Sequence, residues 1–140
     1  MSATPQSPNI IGGNRYLIGS NIEDGITAKA SGTQATAVQL QAQCNNISVC
    51  ATNGDSVALP KIVPYQSGDG RPGMLGMVVF VRNSGAADLQ VFGGTNAKDT
   101  INGVATATGV TVGTLKSAIF WAQSYTVATD VGNWCMVLSA

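Results

Sequence analysis

The sequence predicts an all-β domain, a sandwich, barrel or jelly roll, and three observations carry that prediction. Val, Ile, Thr, Ala and Gly are plentiful, whereas glutamate occurs once, at Glu23, and charged residues make up only 10% of the chain. This composition disfavours amphipathic surface helices and suits half-buried pleated strands joined by tight turns. Short apolar runs recur along the chain, several alternating with a period of two, and Gly, Asn, Asp or Pro punctuates the intervals between them.

The elements follow in order. At 140 residues the chain fits one domain that can bury roughly two-thirds of its unfolded surface. Residues 1–14 hold Pro5, Pro8 and the Gly12-Gly13 pair among polar residues, with Ile10-Ile11 as the apolar anchor, and read as a flexible N-terminal arm. Residues 15–140 then make a single β-sandwich domain. From Arg15 to Ile26 the apolar residues Tyr16, Leu17, Ile18, Ile22 and Ile26 fit either an edge strand or an extended strap. Thr36 to Gln43 alternates cleanly, with Val38, Leu40 and Ala42 on one face and three glutamines on the other. Ile47 and Val49 continue after Asn45-Asn46, and Asn53-Gly54-Asp55 signals a turn into Val57 and Leu59. A Gly- and Pro-rich loop from Pro64 to Gly73 precedes Leu75 to Val81, the most hydrophobic run and the expected central strand. Asn83-Ser84-Gly85 turns into Leu89 to Phe92, and Thr100-Ile101 meets Asn102-Gly103, a dipeptide suited to a type I′ turn. Val110 to Val112, Ser117 to Gln123, Tyr125 to Thr129 and Trp134 to Leu138 complete a set of about eight to ten strands. No convincing internal repeat of about 20 to 50 residues stands out.

Charge and chemistry exclude most functional classes. Seven basic and seven acidic residues cancel, so there is no field to gather nucleic acid or an anionic membrane surface. The opening MSATPQSPNIIGG lacks the basic start and apolar run of a signal peptide, and Met74 to Val81, the most apolar stretch, is far shorter than the ~20 residues of a membrane span. There is no histidine, which removes the commonest general base, triad partner and metal ligand together. Glu23 and Asp24 fall on opposite faces of a strand, so a carboxylate enzyme would have to recruit Asp69 or Asp99 from afar. The run GDGRPG sets Gly68, Gly70 and Gly73 at dinucleotide-loop spacing, but Pro72 and the strand after it replace the helix such a site needs, leaving Asp69 and Arg71 as possible partner contacts. Cys44, Cys50 and Cys135 are odd in number, wrongly spaced for zinc, and read as small apolar residues in a reducing compartment. Asn46-Ile47-Ser48 is a formal glycosylation sequon without a secretory signal. Phe120, Trp121, Tyr125 and Trp134 suit a stacking platform, but such aromatics more often fill a sheet protein's core and rim. The expectation is a protein with no catalytic, cofactor or metal site.

From Gly54 to Leu138 the segments GDSVALP, GMVVFVRNSGAADLQVF, DTINGVA, KSAIFWAQ and GNWCMVL together resemble a module of tailed-bacteriophage structural proteins. The resemblance implies a jelly-roll or related antiparallel β-sandwich, with Ile101 in the core and Trp134 on the closing strand. It also implies the role of a capsid decoration or cement protein, made in the bacterial host cytoplasm and placed on the capsid outer surface. The partner it implies is the major capsid protein; a second copy of this chain is also expected, a homodimer being favoured over a trimer because two-fold closure is the commoner solution, and the cancelling charge leaves no nucleic-acid or membrane partner. The alternative is a receptor-binding β domain of a fibre or spike. The first 50 residues carry no matching motif, and the expected capsid contacts are Ile10, Ile11, Arg15, Tyr16 and Leu17.

Overall fold

A computed structural model describes residues 21–63, 75–95, 98–105 and 107–140, and everything below concerns those residues. Their regular structure is all strand. In chain order the strands are β1 (Ile22–Thr27), β2 (Val38–Gln39), β3 (Cys44–Val49), β4 (Ser56–Ala58), β5 (Val78–Asn83), β6 (Leu89–Phe92), β7 (Thr100–Ile101), β8 (Val110–Val112), β9 (Ser117–Thr126) and β10 (Val131–Leu138). They form a six-stranded sheet ordered β1-β3-β5-β9-β10-β7 and a four-stranded sheet ordered β2-β4-β6-β8.

Up to β8 the chain changes sheet at every strand, odd strands joining the large sheet and even strands the small one. This winding corrects the expected antiparallel pairing. A chain that leaves a sheet, forms a strand in the opposite one and returns re-enters from the same end, so its neighbours run parallel. β1, β3 and β5 are parallel in the large sheet, as are β2, β4 and β6 in the small one. Parallel neighbours need a long crossover, usually a helix, and here a strand of the other sheet serves. β7 also lies parallel to β10, so antiparallel pairing is confined to β5 with β9, β9 with β10, and β6 with β8.

The core fills the space between the sheets. Ile47, Val79, Val81 and Phe120 from the large sheet meet Val57, Leu89, Val91 and Val112 from the small one, with Leu40, Leu59 and Ile62 from the connections. The alternation after Thr36 governs burial as expected, Leu40 and Ala42 lying inside and Gln39 and Gln41 outside, although only Val38–Gln39 joins a ladder. β5 is central, between β3 and β9. Ile101 is wholly buried, and Asn102-Gly103 adopts positive φ angles of 53° and 71° with the Val104 N–H closing onto the Ile101 carbonyl. That turn does not make a hairpin, because the chain beyond it crosses to β8 in the other sheet. The two runs expected at Ser117 to Gln123 and Tyr125 to Thr129 are one strand, β9, with a register shift opposite Asn133 and Trp134 and a turn from Val127 to Asp130.

The turn before β4 is built by its own side chains. Gly54 takes a φ of 95°, which a residue with a Cβ rarely adopts. The Asp55 carboxylate accepts the Thr52 hydroxyl at 2.8 Å and the Ala51 and Thr52 N–H groups at 2.8 and 3.1 Å, and these bonds, the hydroxyl's first, hold its pKa below the usual carboxylate value.

Candidate functional site

The outer side of the six-stranded sheet is the feature that the core does not explain. A half-buried strand turns alternate residues outward, and here the outward residues are largely apolar. In β5, Val79 and Val81 point to the core, leaving Val78, Phe80 and Arg82 outside; in β9, Ala118, Phe120 and Ala122 point inward, leaving Ile119 and Trp121 outside. The strand register sets these residues side by side. Ile22 pairs with Cys44, Cys44 with Phe80, Phe80 with Ile119 and Ile119 with Val137, giving an apolar row across five strands. A second row beside it runs Val78, Trp121, Cys135. Phe80 and Ile119, at the middle of the first row, are 40% and 39% exposed, and Val137 is 54% exposed.

A shallow groove of about 340 Å³ opens on this face, lined by Ile22, Cys44, Asn46, Phe80, Arg82 and Ile119 among others. Its polar border is ordered. Asn46 donates from Nδ2 to the Asp24 carboxylate at 2.6 Å and accepts the Ser84 hydroxyl at 2.6 Å. Arg82 follows Asn46 in the same cross-strand row and is the one charged side chain in β3, β5, β9 and β10. Apolar area gathered this way on a sheet face is characteristic of an interaction surface.

The other cluster of functional groups sits at the β9–β10 turn. Asp130, at a φ of 57°, accepts the Tyr125 hydroxyl at 2.5 Å, the Lys61 ammonium at 2.9 Å and the Lys98 ammonium at 3.4 Å, and Lys61 lies 5.6 Å from the Tyr125 ring centre. The Tyr125 hydroxyl and Lys61 bonds push the Asp130 pKa down to about 2, and the Tyr125 pKa is raised chiefly by its bond to the same carboxylate. A depressed carboxylate contributes stability above its unfolded pKa that is lost as pH falls through the folded value. Stability is therefore expected to decline between about pH 4 and pH 2, and Asp130→Asn to flatten that part of the profile in acid titrations of the melting temperature. The cluster is a latch that ties Lys61 and Lys98 to the hairpin.

The residues singled out from sequence fall as follows. Ile10, Ile11, Arg15, Tyr16 and Leu17, the expected capsid contacts, lie outside the described residues, as do the arm 1–14, Gly68, Asp69, Gly70, Arg71 and Gly73. Glu23 and Asp24 stand on β1 and Asp99 just before β7, at opposite edges of the large sheet, so they do not converge. The aromatics are divided: Phe120 and Trp134 are buried, Trp121 is on the outer face and Tyr125 belongs to the latch. All three cysteines are free; Cys50 is buried, which raises its pKa, whereas Cys44 and Cys135 sit half-buried on the outer face. Among the described residues no three His, Cys, Asp or Glu groups come together to hold a metal.

Sequence reading missed the outer face, and a signal for it was present. MVVFV and AIFWA are unbroken apolar runs, and a strand with one wet face alternates instead. Compared with models of known protein families, with curated proteins and with solved structures, the chain matches none.

Proposed function

We propose that this protein is an adhesive structural component of a tailed-phage particle, binding the outside of the capsid and cementing contacts between major capsid proteins. The observation that supports this reading best is the broad apolar face on a domain with little charge, since such a surface suits lasting protein contact and offers nothing to a turnover reaction. Adhesion of this kind needs many modest contacts held together, because copies that bridge neighbouring capsid subunits gain affinity from effective concentration. In this reading the segment that precedes β1 supplies the capsid grip through Ile10, Ile11, Arg15, Tyr16 and Leu17.

The test is co-sedimentation with phage heads. Replacing Ile10, Ile11, Tyr16 and Leu17 together by polar residues is expected to weaken head binding at least tenfold, about 1.4 kcal/mol, with an unchanged circular dichroism spectrum and melt. Full co-sedimentation of the folded variant would remove these residues from the capsid contact, and failure of the unaltered protein to bind heads would overturn the cement reading.

A further inference from the structure

We infer that the outer face of the six-stranded sheet is a self-association surface, covered in solution by the same face of a second copy in a two-fold dimer. The inference draws on the same apolar face as the capsid reading and assigns it to a second copy, leaving the capsid grip to the segment before β1; it is tested on the purified protein alone, so that its failure and that of the capsid reading are distinguishable.

The edges of the sheet are poor places for a partner to add a strand. β1 carries the carboxylates Glu23 and Asp24 and a register shift around Gly25, whose φ is 76°, and β7 is two residues long. Charge, irregularity and shortness are the usual means of blunting an edge. The face is apolar at its centre, with Arg82 at its polar border as the one charge on β3, β5, β9 and β10. The five strands of the first row, β1, β3, β5, β9 and β10, at about 4.8 Å spacing and about 20 Å of strand length give a flat footprint of about 500 Å², which side-chain relief raises towards the roughly 800 Å² per partner of a standard stable interface.

The pattern of the face is complementary to itself. In a dimer of identical copies each contact occurs twice, so a suitable face must meet its own rotated image without opposing like charges. A two-fold axis lying in the interface, along the strands and between β5 and β9, exchanges β5 with β9 and β3 with β10. Row by row, Phe80 of each copy then lies over Ile119 of the other, Val78 over Trp121, and Cys44 over Val137. Arg82 falls over Ser117 and not over the second Arg82, leaving its charge at the polar border. The strands of the two copies stay aligned, as in sheet-on-sheet packing generally. The small Cys44 opposite Val137, and the large Phe80 opposite Ile119, let the two reliefs interlock. A capsid protein or this chain's own residues 1–20 would meet no such requirement of self-complementarity, and the face satisfies it.

The experiment measures mass in solution by light scattering and sedimentation. The unaltered protein is expected to be a dimer at micromolar concentration, and Phe80→Asp or Ile119→Asp to raise the dimer dissociation constant by about 30-fold or more, the effect of losing a central anchor. Both residues are substantially exposed, so each variant should retain its circular dichroism spectrum and cooperative melt. A second variant tests the register. In Val137→Cys, a short bismaleimide is expected to link the new thiol to Cys44 of the second copy, because sheets stack about 10 Å apart, beyond a direct disulfide. A monomeric unaltered protein, a dimer untouched by Phe80→Asp and Ile119→Asp, or a dimer in which Cys44 links elsewhere overturns the inference. So does a monomer whose Cys44 becomes reactive on Ile10→Asp with Ile11→Asp, which would assign the face to the preceding segment.

Discussion

Replacing Trp134 by alanine is expected to destabilise the domain by about 3–5 kcal/mol, a large share of the roughly 5–15 kcal/mol that holds a domain of this kind together. Trp134 is the largest of the fully buried side chains, at 0% exposure, and its strand lies between β9 and β7, so its ring packs where the long hairpin meets the edge of the sheet. Its strand partners are Ala122 on β9 and Ile101 on β7. The small Ala122 leaves room for the indole and has no reach to fill the space if the ring is removed. The backbone cannot easily close in either, because a neighbouring position, Gly132, already lies against Ile62 so closely that an added Cβ would sit 2.5 Å from that residue's own Cβ. The cost is thus mostly that of an unrelaxed cavity. The indole N–H has no hydrogen-bond partner, so Trp134→Phe removes a buried donor as well as volume and is expected to cost markedly less than alanine. Urea unfolding of the two variants checks the order: a loss for alanine no larger than for phenylalanine would contradict the packing argument.

Particular elements explain what could and could not be read from sequence. Alternation after Thr36 and the central place of the β5 segment were legible because each depends on local pattern and hydrophobicity, whereas the burial of Ile101 was expected only from the resemblance. Pairing direction was not. The same apolar alternation serves a parallel or an antiparallel neighbour, and β3 and β5 are parallel only because the chain visits the other sheet through β4 between them. The resulting coils are unequal, about 20 residues from β1 to β3 and about 35 from β3 to β5, so no fixed period advertises the winding. Asn45-Asn46 read as a break yet lies within β3. Asn45 points inward and donates from Nδ2 to the carbonyls of Ala42 at 2.9 Å and Phe80 at 3.2 Å, so the N–H₂ of a side chain typical of turns is satisfied inside a strand by backbone before the strand and on its neighbour, while its Oδ1 is buried without a partner. The face was half legible: the unbroken runs MVVFV and AIFWA gave two apolar sides, but that Phe80, Ile119, Cys44 and Val137 form one row is a matter of register, which only the fold determines.

The apolar outer face and the polar groups that hold the fold together lie on different parts of this molecule. The outer face carries apolar side chains that can be altered without touching the core, whereas the far edge of the same sheet is held by buried polar groups that cannot. Asp99, 1% exposed, accepts the Ile62 N–H at 2.7 Å through Oδ2 and the Gly132 N–H at 2.9 Å through Oδ1. Its carbonyl accepts the Gln34 side-chain amide at 2.8 Å, and the oxygen of that amide accepts the Ala107 N–H at 2.7 Å. Two side chains thus join five segments, one before β2, one after β4, one just before β7, one before β8 and one within β10. Packing there is close: a Cβ on Gly93 would stand 2.5 Å from the Asp99 carbonyl oxygen.

Asp99→Ala is therefore expected to cost about 2–5 kcal/mol, since it strands two buried N–H groups at about 1–3 kcal/mol each and opens a small cavity beside them. Asp99→Asn keeps the shape and one acceptor oxygen but turns an amide N–H₂ towards a backbone donor, so its cost should fall between zero and that of alanine. The measurement is again a urea midpoint at unchanged m-value, with Phe80→Asp as background so that the self-association inferred above would not add to the apparent stability. If Asp99→Ala melts like the parent, the knot is decorative and the edge is held by the β7–β10 ladder alone. If it loses stability as expected, the division follows physically: an exposed face tolerates exchange of its side chains because water can replace what is lost, and a buried carboxylate surrounded by committed N–H donors does not, because nothing else can reach them.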